Sequence, residues 1–463
     1  MKQWTHEPAH QLAKAVRNGE VTARQVAEQH LSLIAARNDG LRAFTDVTAN
    51  RALAKADAID SAYVQGLKLP PLAGVPFAVK NLFDVAGLVT RAGAKINRDY
   101  APASADATLV ARMEAAGAVL LGALNMGEYA YDFTGRNAHD GHARNPHDPE
   151  RMTGGSSGGS GGAAAAGLAA ITLGSDTNGS IRVPASLCGL FGLKPSYGGL
   201  SRAGTFPFIA SLDHVGPLAR SVQDLALAYD AMRGADPLDP VCTNGTAEPV
   251  TPSLEGDLTG LRIKRAGGYF TRMGDTQAFA AVDTIAHALG AEASIELPEA
   301  HRARAAAFII TMIEGSSLHR DRIRERPQDF DPEVRDRLIA GAMLPGDWYV
   351  KAQKFRRWYQ AGVIKLFQET DLILAPATPT SAPLVDQKTF VLDGQTLPVR
   401  PNLGIFTQPI SFIGLPVVTV PVWPAQGMPI GVQIIAAPGK EGLALRAAHW
   451  LECRGIVQAK VAP

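Results

Sequence analysis

Two segments rich in glycine and serine contain the residues best suited to chemistry. The first runs from Thr153 to Gly162, and the second, from Gly174 to Ala185, includes the run Thr177-Asn178-Gly179-Ser180. Glycine at this density indicates a backbone that adopts conformations closed to other residues or approaches a ligand closely. A serine after Thr-Asn-Gly can lie beside backbone N–H groups, which would stabilise the oxyanion formed on attack at a carbonyl by about 3 to 4 kcal/mol per donor. We therefore predict that Ser180 is a nucleophile; the alternative is a plain Gly/Ser turn.

Lys80 is the candidate base for this nucleophile, because a serine hydroxyl reacts well only when a neighbouring group takes its proton. Ser180 does not lie in a Gly-x-Ser-x-Gly elbow, so a Ser-His-Asp triad of the α/β-hydrolase type is not indicated. Lys80 ends the apolar run Val75–Val79, and burial there would lower its pKa from about 10.4 towards the range in which a neutral amine acts as a base. Taken alone, a lysine at a strand end is more often an ion-pair partner.

The composition indicates a globular chain without a strongly charged partner. It has 463 residues, of which 46% are hydrophobic and 19% charged, and 45 basic against 44 acidic side chains give a net charge of +1. We therefore expect a small-molecule partner and neither nucleic acid nor a membrane. Three widely spaced cysteines (Cys188, Cys242 and Cys453) indicate neither a disulfide framework nor a zinc site. With no apolar signal segment at the start, the predicted location is the cytoplasm.

The pattern of apolar residues predicts one domain with four parts. Helical spacing dominates residues 1–65, where Thr22 is placed to cap a helix, and alternating strands and helices with the chemical motifs occupy 66–235. A charged, helical, substrate-side insertion is predicted at 236–370. Strands return at 371–463, where they are expected to complete the first sheet before a final helix. This alternation predicts the α/β class, with a mixed sheet covered by helices.

Several motifs in a fixed order resemble those of the amidase signature family over essentially the whole chain. They are Gly74-x-Pro76-x-x-Val79-Lys80, Gly154–Gly159, Ser175–Ala185, Cys188–Pro195, Ser211–Pro217, Gly414-Leu415-Pro416 and Pro429–Gln433. The spacing agrees as well, since Ser156 follows Lys80 by 76 residues and precedes Ser180 by 24. The resemblance implies the amidase signature fold, a central mixed twisted β-sheet with helices on both faces.

The resemblance also implies a Ser–cis-Ser–Lys triad that needs no metal or cofactor. Ser180 is then the nucleophile, Lys80 the base, and Ser156, after a cis peptide bond from Gly155, the bridge between them. The implied oxyanion hole is formed by the backbone of Thr177, Asn178, Gly179 and Ser180. Asn178 replaces the more common glycine. Either its side chain reaches the substrate, or asparagine is present only because it can adopt the same left-handed backbone conformation as glycine. Asp176 and Arg182 are expected to pair beneath this loop.

The resemblance implies a small amide or ureide as the substrate, and a carboxylated urea is favoured. The predicted substrate-binding residues are Asn178, Arg337, Met126 and Tyr131. A carboxylate is best bound by a bidentate arginine, and Arg337 or a near neighbour is the candidate; the alternative is that these arginines belong to a solvated charged helix. Lys440 lies near the position where transfer-RNA amidotransferase relatives carry an acidic residue, which disfavours an ammonium-bearing substrate. Alternatives are an oxalurate-type ureido acid or a general small amide.

Two other classes of protein are compatible with parts of the sequence, and the assembly is open. A metal-dependent hydrolase could use the side chains of His139, Asp140, His142, His147 and Asp148. A nucleotide-binding module could use Gly159-x-Gly161-x-x-Ala164, although this run does not follow a β-branched strand. The resemblance implies either a homodimer or a heterotetramer with a small companion subunit, which the N-terminal helices could contact.

Overall fold

The computed structural model of the protein describes residues 2–242 and 248–463. The strands, in chain order, are β1 (Phe44–Val47), β2 (Pro76–Lys80), β3 (Val119–Leu124), β4 (Arg144–Asn145), β5 (Asp148–Met152), β6 (Ile171–Ser175), β7 (Phe191–Lys194), β8 (Val215–Ala219), β9 (Ile263–Ala266), β10 (Ser294–Ile295), β11 (Leu372–Pro376), β12 (Thr389–Leu392), β13 (Gln395–Pro398), β14 (Val417–Val422) and β15 (Ile430–Ala436). Two hairpins, β4–β5 and β12–β13, stand apart from the main sheet.

Helices flank the main sheet and fill most of the connections. They are α1 (Ala9–Arg17), α2 (Ala23–Leu41), α3 (Ala49–Val64), α4 (Thr108–Ala115), α5 (Gly158–Ala165), α6 (Arg182–Leu187), α7 (Val222–Met232), α8 (Thr276–Ala288), α9 (Ala300–Glu325), α10 (Pro332–Ala342), α11 (Gly346–Leu366), α12 (Val399–Asn402), α13 (Gln408–Ser411) and α14 (Glu441–Cys453). Single 3₁₀ turns lie at Trp4–His6, Ile96–Asp99, Glu128–Ala130, Thr251–Ser253, Gly268–Thr271 and Pro327–Asp329. In the described part of the chain, none of these helices combines the length and the apolar character needed to cross a membrane.

Eleven strands of the described chain form one mixed sheet, in the order β1-β3-β2-β6-β8-β7-β14-β15-β11-β9-β10. Strand β2 pairs in parallel with both β3 and β6, whereas β8, β7, β14 and β15 pair with their neighbours in antiparallel fashion. The strands from the last part of the chain, β14 and β15, lie between β7 and β11, inside the sheet. The predicted α/β architecture, a mixed sheet flanked by helices, is confirmed.

Three strands lie where the sequence predicted only helices. Strand β1 falls within the predicted N-terminal helical layer and pairs with β3 at one edge of the sheet. Strands β9 and β10 fall within the predicted helical insertion and form the other edge, next to β11. All three are four residues or shorter and carry polar side chains such as Asp46, Lys264 and Arg265, because they lie at or next to an edge of the sheet, where strands are only partly covered. Such short, half-polar runs give no clear period-two signal.

The glycine-rich region is a packed core and not a linker. Helix α5 contains only glycine, serine and alanine, and every residue in it is buried. At Gly159 a Cβ would collide with the main chains of Ala43 and Asn125, and its N–H donates to the Asn125 carbonyl at 2.9 Å. Small residues are therefore required here because the helix lies directly against neighbouring backbone. This close packing places the start of α5, and Ser156 just before it, beside the sheet.

Candidate active site

The side chain of Lys80 lies at the centre of a fully buried group of hydroxyls. Lys80 is the last residue of β2, and its Nζ donates to Ser156 Oγ at 2.7 Å and to Ser175 Oγ at 2.8 Å. Strands β2 and β6 run in parallel, with Val79 opposite Leu173, so their carboxyl ends, which carry Lys80 and Ser175, meet at one edge. The structure therefore brings together two residues predicted from the sequence, Lys80 and Ser156, and adds a third.

Burial gives Lys80 an unusual proton affinity. Its side chain is 0% exposed, and the loss of solvation lowers the pKa of Lys80 to about 7, although the carboxylates of Asp213, Asp176 and Asp132 act in the opposite direction. No carboxylate lies within ion-pair distance of Nζ among the described residues, so the alternative of an ordinary ion-pair lysine is wrong. A substantial fraction of Lys80 is a neutral amine near pH 7, as a general base requires.

Ser156 follows a cis peptide bond from Gly155, as the resemblance implied. The Gly155 N–H donates to the Phe133 carbonyl at 2.8 Å, and the Ser156 carbonyl accepts from the Gly127 N–H at 3.0 Å. A side chain at Gly155 would collide with the Asp132 carboxylate and with the main chain of Gly135. The loop that carries Ser156 is thus fixed from both sides by neighbouring backbone.

The loop from Thr177 to Ser180 presents an unpaired row of backbone donors. No N–H group of these four residues donates a hydrogen bond to any residue of the described chain. Gly179 has φ +143°, and a Cβ there would collide with the side chain of Thr407, so only glycine fits. The Ser180 hydroxyl also forms no hydrogen bond with a described residue, Ser156 included. The loop therefore leaves a hydroxyl and several donors available to a ligand.

A buried ion pair supports this loop from below. Arg182 and Asp176 are both 0% exposed and pair at 2.9 Å, as expected from the sequence. Arg182 Nη1 also donates to the Thr407 carbonyl at 3.1 Å and to Gln433 Oε1 at 2.6 Å. Burial by itself raises the pKa of Asp176, but the charge and hydrogen bonds of Arg182 outweigh it and hold that pKa well below its usual range. The pair stays charged and ties the loop to β15.

Ser180 lies in the wall of a small cavity of about 20 Å³. Its lining includes Tyr131, Asn178, Thr311, Arg337 and Gln408, with Phe133, Phe208 and Phe308 as apolar walls. This volume is far below the roughly 300 Å³ at which known ligand pockets begin, so the side chains around Ser180 pack closely in this structure. Three of the four predicted substrate-binding residues (Tyr131, Asn178 and Arg337) are therefore neighbours of the predicted nucleophile.

Met126 is the predicted substrate-binding residue that the structure does not bring to this cavity. Its side chain is 1% exposed and packs in the main hydrophobic core. Its carbonyl accepts a hydrogen bond from Asn137 Nδ2 at 2.7 Å. Met126 thus shapes the segment before Tyr131 from behind, and the prediction that it contacts substrate is corrected.

Arg337 is a cation without a carboxylate partner in the described chain. Its Nη1 reaches only the Tyr131 carbonyl, at 3.5 Å, whereas the neighbouring Arg400 pairs with Asp132 at 3.1 Å and also with Glu333. Burial, followed by repulsion from Arg400, lowers the pKa of Arg337, yet a guanidinium remains charged at neutral pH. An anionic group bound in the cavity would supply the missing partner.

The side chain of Asn178 lines the cavity, and its backbone is not left-handed. Asn178 is absent from the described residues with positive φ, so the alternative that asparagine merely tolerates a left-handed conformation is wrong. Its Nδ2 donates to Thr311 Oγ1 at 3.0 Å. The side chain therefore bridges the loop of Ser180 to helix α9.

Lys440 lies at a different cavity, so it carries no information about the substrate charge. It precedes α14 and lines a separate cavity together with Glu441, Arg446 and Asp371. The prediction that Lys440 disfavours an ammonium-bearing substrate is therefore corrected. Lys440 and Ser180 line different cavities, which the sequence position alone could not reveal.

The residues proposed for a metal-dependent hydrolase or a nucleotide-binding module do not form either kind of site. His139 Nε2 contacts Glu128 at 2.9 Å and His147 Nε2 contacts the Cys188 carbonyl at 3.1 Å, so the two rings face different partners. Within residues 2–242 and 248–463, no three His, Cys, Asp or Glu side chains are placed to share a metal ion. Gly159 and Gly161 lie inside α5 and not in a strand-to-helix turn, which is where a dinucleotide fingerprint would need them.

Two polar residues of the site escaped the sequence analysis. Ser175 holds Lys80, and Gln408 lines the cavity of Ser180. Ser175 could have been found from strand order, because it ends the strand parallel to the one that ends at Lys80. Gln408 lies 228 residues beyond Ser180 in a four-residue helix, and nothing in its local sequence marks it.

The fold and the buried amine–hydroxyl site define an amide hydrolase, and the comparisons agree. Residues 25–445 match the family described as Amidase, and the chain belongs to the amidase signature family. It is 54% identical to AtzE, a component of the 1-carboxybiuret hydrolase of Pseudomonas sp. (strain ADP), over 97% of this chain and 99% of that one. It is 38% identical to a component of the glutamyl-tRNA(Gln) amidotransferase of Roseiflexus castenholzii (strain DSM 13941 / HLO8), over 94% and 93% of the two chains.

Solved structures show the same relationship. A structure reported as a vestigial protein complex that reveals the evolutionary origins of an s-triazine catabolic enzyme superimposes with a TM-score of 0.97 at 53% identity, over 98% of this chain and all of that one. A 6-aminohexanoate cyclic dimer hydrolase, solved with its substrate, superimposes with a TM-score of 0.87 at 27% identity, over the full length of both chains. The chain is therefore an amidase that hydrolyses amide C–N bonds.

Proposed function

We propose that the protein hydrolyses the terminal amide of a small carboxylated urea, 1-carboxybiuret, with Ser180 as the nucleophile. The observation that carries the reaction is the buried Lys80, whose pKa is lowered to about 7 and whose Nζ lies 2.7 Å from Ser156 Oγ. The name of the relative at 54% identity and the unpaired Arg337 support the choice of substrate. The products are ammonia and a dicarboxylated urea.

In the proposed first half-reaction, Ser180 Oγ attacks the carbonyl carbon of the terminal amide. The Ser180 proton passes to Ser156 Oγ while the Ser156 proton passes to neutral Lys80, which becomes an ammonium ion. The backbone N–H groups of Thr177 to Ser180 donate to the developing oxyanion. The proton then returns through Ser156 to the leaving nitrogen, the C–N bond breaks, and ammonia departs from an acyl-enzyme.

In the second half-reaction, water attacks the acyl-enzyme and loses a proton by the same route. The C–O bond to Ser180 breaks, Ser180 recovers its proton, and Lys80 becomes neutral again. The relay requires Ser180 Oγ to approach Ser156 when substrate is bound. Catalytic hydrogen bonds often tighten only in the substrate complex, so the unbonded Ser180 hydroxyl of the free site is compatible with this step.

Oxalurate is the second candidate substrate, because Arg337 provides a cation for any ureido acid. We propose to measure ammonia release from 1-carboxybiuret, oxalurate, allophanate, biuret and a simple amide, using the purified chain and its Ser180→Ala variant. A preference for 1-carboxybiuret that disappears in the variant is expected. Turnover that persists in Ser180→Ala would exclude Ser180 as the nucleophile, and a preference for neutral amides would exclude the carboxylated substrate.

A fluorophosphonate label provides an independent test of the nucleophile. The reagent reacts with activated serines, so mass spectrometry is expected to find the adduct on Ser180 and not on Ser156. The Lys80→Met variant is the matched control, because it leaves both serines in place and removes the base. Equal labelling with and without Lys80 would contradict the proposed activation.

We also propose that the chain works as a homodimer or as a heterotetramer with a small companion subunit. The support is the similar structure at 53% identity, which is reported as a vestigial protein complex. Light scattering of the purified chain, with and without a candidate small companion protein, tests this assembly. A chain that is monomeric and fully active alone would overturn it.

A further inference from the structure

Two buried amide atoms in the cavity of Ser180 have no partner in the described chain. They are Asn178 Oδ1 and Gln408 Nε2, on side chains that are 7% and 1% exposed. Buried polar atoms in folded proteins are almost always hydrogen-bonded, and each exception needs an explanation. Because both residues line the cavity that contains Ser180, a bound ligand is a direct explanation for both.

The orientation of the Gln408 amide is fixed by an arginine. Arg304 Nε donates to Gln408 Oε1 at 2.8 Å. A guanidinium has donors only, so the oxygen of Gln408 must face Arg304 and its NH₂ group must face away. Arg304 is itself held by Asn402 Oδ1 at 2.8 Å and the Pro401 carbonyl at 2.9 Å. Gln408 therefore presents a fixed hydrogen-bond donor.

Asn178 presents the complementary acceptor. Its Nδ2 donates to Thr311 Oγ1 at 3.0 Å, which leaves Oδ1 free. Its carbonyl accepts from Thr407 Oγ1 at 2.7 Å, and Thr407 directly precedes Gln408 in the chain. The two amides are thus joined through Thr407, so a donor and an acceptor are held together beside the predicted nucleophile. A ligand that satisfies both must offer a hydrogen-bond acceptor to Gln408 Nε2 and a donor to Asn178 Oδ1, and a carbonyl oxygen and an N–H meet these needs.

We propose that Gln408 and Asn178 recognise the acylurea part of the substrate, an inference that rests on the proposed function. In an acylurea, the terminal carbamoyl group is followed by an interior N–H and a second carbonyl. Gln408 Nε2 donates to the second carbonyl, and Asn178 Oδ1 accepts from the interior N–H. Ser180 then faces the terminal carbamoyl carbon, and Arg337 faces the carboxylate at the other end. The pair is a specificity determinant that separates acylureas from simple amides.

Three ligands of equal chain length isolate the two contacts. Oxalurate carries both the interior N–H and the second carbonyl. N-Carbamoylglycine keeps the N–H and replaces the second carbonyl with a methylene group, and succinamate replaces both. All three retain a terminal carboxamide for Ser180 and a carboxylate for Arg337. Differences in their binding therefore report the acylurea contacts alone.

Binding is measured by titration calorimetry in the full chain with Ser180→Ala, so that no ligand is consumed. We expect oxalurate to bind at least about tenfold more tightly than N-carbamoylglycine, and N-carbamoylglycine more tightly than succinamate, because a site built to hydrogen-bond a group rejects analogues that lack it. Adding Gln408→Met, or Gln408→Glu, which keeps an oxygen for Arg304, is expected to remove the first difference only. Adding Asn178→Ala is expected to remove the difference in affinity between N-carbamoylglycine and succinamate.

Each variant serves as the control for the other, because a general loss of structure would weaken all three ligands together. Equal affinity of the three ligands for Ser180→Ala would overturn the proposal, as would a uniform loss in the Gln408 or Asn178 variants. Ammonia release by the unmutated chain is scored separately. Its absence would contradict the proposed function, whereas turnover without discrimination among the ligands would contradict only the acylurea contacts.

Discussion

The guanidinium carbon of Arg337 lies 5.2 Å from the centre of the Tyr131 ring, at the wall of the cavity that contains Ser180. The aromatic face supports the cation, and Nη1 reaches the Tyr131 carbonyl at 3.5 Å. No carboxylate of the described chain forms an ion pair with Arg337, although Arg400 beside it contacts Asp132 and Glu333. An arginine that is held in place and has no ion-pair partner is suited to binding an anion.

Replacing Arg337 with methionine is expected to raise KM for carboxylated ureides by about tenfold to a hundredfold, the range for one charge-assisted contact. KM for a neutral amide of similar size is expected to change little. Steady-state kinetics on the two substrates measures the contrast. Arg335→Met, on the same helix but paired with Asp336, is the matched control. Equal effects of Arg337→Met on both substrates would rule out carboxylate binding by Arg337.

The rate is expected to depend on the protonation of Lys80. Because burial lowers the pKa of Lys80 to about 7, kcat/KM is expected to rise from pH 5.5 and level off above pH 8. Lys194 is also fully buried with a pKa lowered to about 7, but its Nζ donates to the Pro195 carbonyl and it does not line the cavity. Lys194→Met therefore serves as a control whose profile keeps the same midpoint. A rate independent of pH between 6 and 8 would contradict the role of Lys80.

Lys80 is also expected to make the folded protein more stable as the pH rises from about 7. Its folded pKa of about 7 lies below the ordinary value of 10.5, so the unfolded chain binds one more proton between these values. Stability therefore rises with pH in this window, by up to about 1.4 kcal/mol per pH unit from this group. Lys80→Met removes the contribution.

Urea unfolding of the wild type and Lys80→Met at pH 7, 8 and 9 measures this difference. The free energy of unfolding of the wild type, relative to the variant, is expected to increase over this series. The contribution of Lys194 is present in both proteins and cancels. A difference that stays constant or falls as the pH rises would show that Lys80 is not desolvated in the folded protein.

The two hydroxyls that contact Lys80 are expected to differ in importance. Ser156→Ala interrupts the proposed proton relay and is expected to lower kcat by a factor of about 1,000 or more, as for other members of a catalytic unit. Ser175→Ala removes only one hydrogen bond to Lys80, at 2.8 Å, and is expected to lower kcat by about tenfold. Measurement of kcat for the two variants tests this difference. Similar losses in both would contradict the assignment of the proton relay to Ser156 alone.

Breaking the buried pair beneath the catalytic loop is expected to destabilise the fold. Arg182→Met leaves the Asp176 charge buried without its partner, which typically costs about 3 to 5 kcal/mol. Arg24→Met, which removes an exposed cation paired with Asp57, is the control and is expected to leave Tm unchanged. Thermal unfolding of both variants provides the comparison. An unchanged Tm for Arg182→Met would show that Arg182 does not stabilise the loop.

Local sequence predicted the features of the site that depend on neighbours in the chain. The apolar run before Lys80 predicted its burial, and burial is the main cause of its lowered pKa. The predicted helix cap at Thr22 is likewise present, in a capping box with Gln25 at the start of α2. Both features follow from interactions within a few residues, where sequence patterns carry most of their information.

Features that depend on tertiary placement could not be predicted in this way. The contact of Ser175 with Lys80 requires the register of two parallel strands, and the orphaned amide of Gln408 requires α13 to face α9. Met126 and Lys440 were assigned to the substrate region by position in the chain, yet one packs in the core and the other lines another cavity. Chain position does not determine the direction of a side chain.

The position of β14 and β15 inside the sheet has a consequence for biosynthesis. Strand β7 ends at Lys194 and pairs with β14, which begins only at Val417, so β7 is synthesised long before its partner strand. Until β14 is made, β7 is an open, apolar strand edge, a template for unwanted pairing with other chains. A chain stopped near residue 400 would contain Lys80, Ser156 and Ser180 and still lack the strand that joins the two halves of the sheet. Premature release is therefore expected to yield aggregates and not a smaller enzyme.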